Sequence, residues 1–106
     1  MTLMEFSMIP LDKGASFSKY VAATLDIVDA SGLEYVLTPM GTVVEGCFDE
    51  LMTLLDRCFK NMDRESERIS LSVKFVHRRG KSGRLQGKIK SVEQKLGREL
   101  KTGGSA

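Results

Sequence analysis

The chain has 106 residues, 42% of them hydrophobic and 28% charged, with a formal net charge of +2. That length and balance fit one globular domain and exclude a disordered, fibrous or disulfide-dense chain. The first residues, MTLMEFSMIPL, have no basic start and are interrupted by Glu5, which argues against a signal peptide.

No run approaches the roughly 20 apolar residues of a membrane helix, so a soluble, cytoplasmic protein with no membrane partner is expected. Cys47 and Cys58 have neither metal nor CxxC spacing. Both are expected to be buried thiols. Charge is uneven. Residues 1–76 carry 7 basic and 12 acidic side chains, and residues 77–106 carry 9 and 2. The body is acidic and the tail basic.

Residues Leu3 to Pro10 alternate, with Met4, Phe6 and Met8 on one side and Leu3, Glu5, Ser7 and Ile9 on the other. This reads as a strand ended by Pro10. Phe17, Tyr20, Val21, Leu25 and Val28 recur at helical spacing and predict a helix over 17–31, with Ser16 or Ser18 as cap and Gly32 as C-terminal glycine. Glu34–Thr38 and Thr42–Glu45 read as a hairpin about Pro39, Met40 and Gly41. Asp49 and Glu50 open a second helix, favoured there by its dipole. Its apolar stripe is Leu51, Leu54, Leu55, Cys58, Phe59 and Met62, and its end is near Arg64. Arg68 to Arg79 is the longest strand. After a turn over Gly80–Gly83, Leu85, Ile89, Val92 and Leu96 predict a basic helix, and residues 101–106 a flexible tail.

The order β-α-β-β-α-β, then α, is a split βαβ arrangement. The expected fold class is α+β: a ferredoxin-like βαββαβ sandwich with an extra C-terminal helix, one domain over 1–100. Strands one and three are expected at the centre, running parallel. Two helices cover the face bearing Met4, Phe6, Met8, Tyr35, Leu37, Ile69, Leu71, Val73 and Phe75. The other face offers Glu5, Ser7, Ile9, Thr38, Ser70, Ser72 and Lys74, joined by Glu45 or Val44 according to register. Small hydroxylic residues and few charges suggest that a second subunit or a ligand covers this face. A plain solvated face is the other reading.

Four stretches carry a resemblance: SMIPLDKGASFSKYV, SGLEYVLTPMGTVVEG, the strand ending FVHRRG, and KIKSVEQKL. Over residues 1 to about 97 the chain resembles the single-domain thiamine-binding proteins of the YkoF-like superfamily. The sharpest marker is YxLTPMGTxxEG, here Tyr35 to Gly46. Its companion SxIPLG is here SMIPLD, with Asp12 in the glycine position. The resemblance implies non-catalytic binding of thiamine or its hydroxymethylpyrimidine part by a homodimer or homotetramer, for thiamine supply or sensing, with no further cofactor.

The residues can be matched to that ligand. An aminopyrimidine wants a donor–acceptor pair and a flat apolar slot. The Ser7, Thr38 and Thr42 hydroxyls and main-chain groups at Ile9 and Met40 are candidates for the first. Tyr35, Met8, Met40 and Phe17 are candidates for the second. Glu45 or Glu5 is the natural counter-charge for a thiazolium. Each also has a structural reading: core packing for Tyr35, Met8 and Met40, turn chemistry around Pro39 and Gly41, and a surface pair with Lys74 for Glu45.

Catalysis finds little support. His77 is the sole histidine and stands beside Arg78 and Arg79, so no Ser-His-Asp set forms without it. GKSG at 80–83 lacks the first glycine of a phosphate loop, with Phe75 in its place. The alternatives are an oligomeric regulatory module with no fixed ligand, or RNA or phosphate binding through the basic 78–90 segment. The RNA-recognition pattern is missing, so nucleic acid is not the expected partner.

Overall fold

The computed structural model describes residues 1–15, 17–80 and 97. Strand β1 spans Thr2–Pro10 and a 3-10 turn spans Leu11–Lys13. Then come α1 (Ser18–Ala30), β2 (Glu34–Thr38), β3 (Gly41–Gly46), α2 (Phe48–Asp63) and β4 (Ile69–His77). The sheet order is β2-β3-β1-β4, with every neighbouring pair antiparallel. With both helices on one face, the fold is α+β and ferredoxin-like.

The central strands were expected to run parallel; they are antiparallel. The connections require this. The α1 crossover returns the chain so that β2 runs with β1, and the hairpin then reverses it. Inserted between them, β3 must oppose both.

Register decides the faces, because directly opposed residues share one. Met4 lies opposite Val44 and Phe75, Phe6 opposite Thr42 and Val73, and Met8 opposite Leu71. Tyr35 is opposite Val44 and Leu37 opposite Thr42. The helix-side set is therefore the one the alternation predicts, and Val44 belongs to it while Glu45 takes the open side. On β4, the outer strand, Leu71 and Val73 stay partly uncovered on that side.

The core joins Met4, Phe6, Met8 and Val44 to Val28 of α1 and to Leu51, Leu54, Cys58 and Met62 of α2. The α2 residues sit at helical spacing, and truncating one such side chain to Ala costs about 2–5 kcal/mol. Phe59, expected in that stripe, is exposed, and Leu55 is half-buried. Phe48 rests instead on Phe75, with ring centroids 5.1 Å apart.

The helix ends follow local chemistry. Phe17, with no side-chain bond, takes the N-cap place of α1, and Ser18 is already helical. At the other end Gly32 has φ 77° and its N–H donates to the Asp29 carbonyl at 3.3 Å. At α2 the Cys47 N–H donates to Glu50 Oε1 at 3.0 Å. Cys58 is buried as expected, but Cys47 is exposed because it precedes the helix rather than facing the core. The predicted C-terminal helix, the 101–106 tail and the Ser16 cap lie outside the described residues.

Candidate functional site

Strand β1 is longer than its partner β3. Their pairing ends at Phe6 and Thr42, whereas β1 continues to Pro10 against β4 alone. The chain turns away at Pro39 and Met40, and α1 crosses above. The result is a notch in the sheet, holding a cleft of about 160 Å³. A notch reaches both faces. Met8, Leu37 and Thr42 enter from the helix side; Ser7, Ile9 and Thr38 come from the open side.

Phe17, Val21, Thr24 and Leu25 of α1 form the roof. Their spacing of i, i+4, i+7 and i+8 puts them on one helix flank. The neighbouring flank, with Val28 buried and Tyr20 and Ile27 packed against the core, serves the interior. Helix α1 therefore has two apolar flanks, one for the core and one for the cleft. The Thr24 hydroxyl is spent within the helix, donating to the Tyr20 carbonyl at 3.1 Å.

The polar groups of the notch come mostly from β1. A β-carbon on Gly41 would lie 2.9 Å from the Phe6 carbonyl oxygen, so Phe6 presents its backbone groups toward β3. Backbone direction alternates along an antiparallel strand. Met8 therefore aims its N–H and C=O the same way, into the gap beyond Gly41. The odd positions face β4: the Leu11 N–H donates to the Arg68 carbonyl at 2.7 Å, and the Met1 carbonyl accepts from Arg78 N–H at 3.3 Å. The main chain of Ile9, a candidate from sequence, is thus turned to β4. The N–H of Met40 is already used, since it donates to Thr38 Oγ1 at 3.2 Å. The Thr38 hydroxyl in turn donates to the Gly41 carbonyl at 2.8 Å and braces the hairpin.

Two hydroxyls remain. Thr42 is 3% exposed, and neither it nor Ser7 bonds to another described residue through its hydroxyl. Because no buried side-chain oxygen lacks a partner, the little accessible surface of Thr42 includes its oxygen. Among the described residues no Asp, Glu, Lys, Arg or His lines the cleft. It is an uncharged slot with one main-chain donor–acceptor pair at Met8, two hydroxyls, and Phe17, Leu37 and Met40 as apolar walls.

The notch thus brings together seven residues singled out from sequence: Ser7, Met8, Ile9, Phe17, Thr38, Met40 and Thr42. Tyr35 and Glu45 lie elsewhere. The Tyr35 hydroxyl donates to Asp29 Oδ1 at 2.8 Å, tying β2 to the end of α1, and that carboxylate raises the phenol above its ordinary range. Glu45 is buried on the open side at the far end of the sheet, opposite Leu3 and Glu34. Lys74, considered as its partner, stands opposite Glu5 instead. Sequence reasoning missed Val21, Thr24 and Leu25, although their spacing with Phe17 was readable. Among the described residues no cluster of His, Cys, Asp and Glu could hold a metal.

Asp12, the departure from the SxIPLG pattern, points away from the cleft. Its Oδ1 accepts from Ser66 Oγ at 2.5 Å and its Oδ2 from Glu67 N–H at 2.9 Å. These two donors hold the carboxyl below its ordinary range. The residue closes the loop after β1 against the loop before β4. No helix among the described residues is long and apolar enough to cross a membrane.

Comparison with known proteins agrees with this architecture. The family model for thiamine-binding proteins matches residues 4–93. The chain is 33% identical over 88 residues to the UPF0045 protein MJ1052 of Methanocaldococcus jannaschii, covering 83% of this chain and 88% of the relative. It is 29% identical over 92 residues to the UPF0045 protein sll0230 of Synechocystis, covering 86% and 76%. The crystal structure of MJ1052 superposes with a TM-score of 0.80 at 31% identity, over 88% of this chain and 96% of that one. A Thermotoga maritima protein proposed for thiamine biosynthesis or salvage shares the fold, with a TM-score of 0.77 at 16% identity over 86% and 97%. With its family model spanning nearly the whole described fold, the chain belongs to the thiamine-binding protein family.

Proposed function

We propose that the notch binds the aminopyrimidine ring of thiamine or of hydroxymethylpyrimidine, and that the protein holds this ligand without transforming it. The observation that carries the reading is the pairing of an uncharged slot with the unused N–H and C=O of Met8. An aminopyrimidine edge presents a ring-nitrogen acceptor beside an amino donor, and one residue of an unpaired strand edge presents the complement. Thr42 and Ser7 supply further hydroxyls, and Phe17, Leu37 and Met40 supply apolar surface for the ring faces.

The volume supports the same division of the ligand. The cleft of about 160 Å³ has room for a ring, and it opens at its mouth to whatever the ring carries. A permanent cation gains nothing from a lining without a carboxylate, so the thiazolium stays outside the slot. The described lining, with hydroxyls, main-chain groups and apolar side chains, suits holding a ring rather than transferring its protons. The family description, thiamine-binding protein, supports the ligand class.

We further take the working form to be a homodimer or homotetramer in the cytoplasm. Two free thiols fit a reducing compartment.

The test is a melting curve and a titration with hydroxymethylpyrimidine and with thiamine. A ligand that binds only the native state raises the melting temperature, by about 2.7 kcal/mol of stability at a hundred times its Kd. We expect both ligands to raise it. The absence of any shift at millimolar concentration for either one overturns the reading.

A further inference from the structure

A second hollow, of about 140 Å³, lies on the open side of the sheet and shares Phe6, Ser7 and Met40 with the notch. The two are thus neighbours across one strand, and a molecule filling the first can extend into the second past Ser7. Their chemistry differs sharply. The second hollow is lined by Glu5, Lys74, Ser7 and Ser72, two cross-strand pairs that sit side by side in the register.

Glu5 and Lys74 stand opposite each other, yet their charged ends do not close into an ion pair. The ion pair found among the described residues is the surface pair Lys60–Asp56 at 2.8 Å. An open carboxylate and an open ammonium flanking one hollow suit a ligand end that carries both signs. Ser7, two positions along β1 from Glu5, and Ser72, two positions along β4 from Lys74, add two hydroxyls to the same hollow.

Resting on the reading of the notch given above, we propose that this hollow receives the charged end of the ligand, and that the preferred form is the phosphate monoester rather than the free alcohol. The ring lies in the notch. The thiazolium then lies toward the Glu5 carboxylate, and the phosphate takes hydrogen bonds from Lys74, Ser72 and Ser7. Charge-assisted bonds of this kind are the stronger ones. Free thiamine has only the cation to offer. It meets the Glu5 carboxylate with the Lys74 ammonium close by, so attraction and repulsion largely offset each other.

The experiment is calorimetric titration of hydroxymethylpyrimidine, thiamine and thiamine monophosphate into the wild-type chain and into Lys74→Met, at two salt concentrations. Lys74 is exposed, so the variant is expected to fold, and its melting curve verifies this. We expect the monophosphate to bind at least about tenfold more tightly than thiamine, the scale of one hydrogen bond to a charged group. That advantage should shrink with salt and vanish in Lys74→Met, with hydroxymethylpyrimidine affinity unchanged. Equal or weaker binding of the monophosphate, or an advantage that survives Lys74→Met, overturns the assignment of the second hollow and leaves the notch standing. Binding of none of the three overturns the notch as well, a separate result.

Discussion

A β-carbon on Gly41 would stand 2.9 Å from the carbonyl oxygen of Phe6. The backbone there has φ 155°, a value L side chains rarely adopt. Both facts follow from the hairpin. Neither Pro39 nor Met40 has positive φ, so the turn lacks the primed geometry that matches strand twist. The adjustment falls on the residue after it. Gly41→Ala should therefore destabilise the fold by about 1–3 kcal/mol, read from the denaturation midpoint. Because Gly41 also edges the notch, the variant should lose most of its ligand-induced rise in melting temperature. An unchanged midpoint would mean that β3 can back away from β1 at no cost.

Asp12 makes the loop after β1 sensitive to acid. Its folded pKa lies below the ordinary 3.8 because Ser66 and the Glu67 N–H bond the ionised form. A depressed carboxyl contributes stability that is fully present above its unfolded pKa and is lost as the pH falls through the folded one. Asp12→Asn should thus be less stable than wild type at neutral pH, and the gap should narrow below about pH 4. Melting curves between pH 7 and 3 measure it. A gap that stays constant over that range would show that the two loops do not depend on the charge.

Much of this was legible in the sequence, and the reasons are local. The period of two in Met4, Phe6 and Met8 gave the buried face of β1, and the spacing of Leu51, Leu54, Cys58 and Met62 gave that of α2. Seven of the ten candidate residues share the notch, six of them because YVLTPMG and SMIP flank the place where β3 stops and β1 goes on. What alternation cannot supply is strand length relative to a partner. Ser7 and Thr42 lie on opposite faces, and a face-by-face reading separates them. The notch that joins them exists only once the pairing is known to end at Phe6. Glu45 was placed with Ser7 because both face the open side, but four positions of β1 separate Ser7 from Leu3, which stands opposite Glu45. At about 3.4 Å per residue that is roughly 14 Å. The strand direction was misjudged for a similar reason, since it depends on which strand is inserted between the parallel pair.

The two thiols should behave differently toward a reagent. Cys58 is fully buried and its pKa is pushed up to about 11 by desolvation. Cys47 is exposed, and the Glu50 carboxylate beside it also raises its pKa. The thiolate is the nucleophile, so both are slow near pH 7. Access still separates them. A disulfide exchange reagent should label one thiol in the native protein and two in denaturant, and Cys47→Ser should abolish the native labelling. Native labelling that persists in Cys47→Ser would place the core around α2 in frequent local opening.

Thr42 and Tyr35 separate a contact to the ligand from a contact within the fold. Each is a hydroxyl on the helix side of the sheet, opposite its neighbour across the hairpin or one rung away. The Tyr35 hydroxyl is committed to Asp29 at 2.8 Å; that of Thr42 opens on the notch. Thr42→Val keeps the shape and removes the oxygen. It should leave the melting temperature of the free protein level or slightly higher, since no internal hydrogen bond is broken. Binding of hydroxymethylpyrimidine should weaken by about 0.5–1.5 kcal/mol, the usual worth of one neutral hydrogen bond. Tyr35→Phe should do the reverse, lowering the melting temperature with the affinity unchanged. Titration and melting of the two variants side by side give four numbers. If Thr42→Val binds as tightly as wild type, the ring does not reach that hydroxyl and the Met8 main chain alone must orient it. If Tyr35→Phe loses affinity as well, the attachment of β2 to the end of α1 helps set the width of the notch, because Asp29 lies on the same helix as Phe17, Val21 and Leu25.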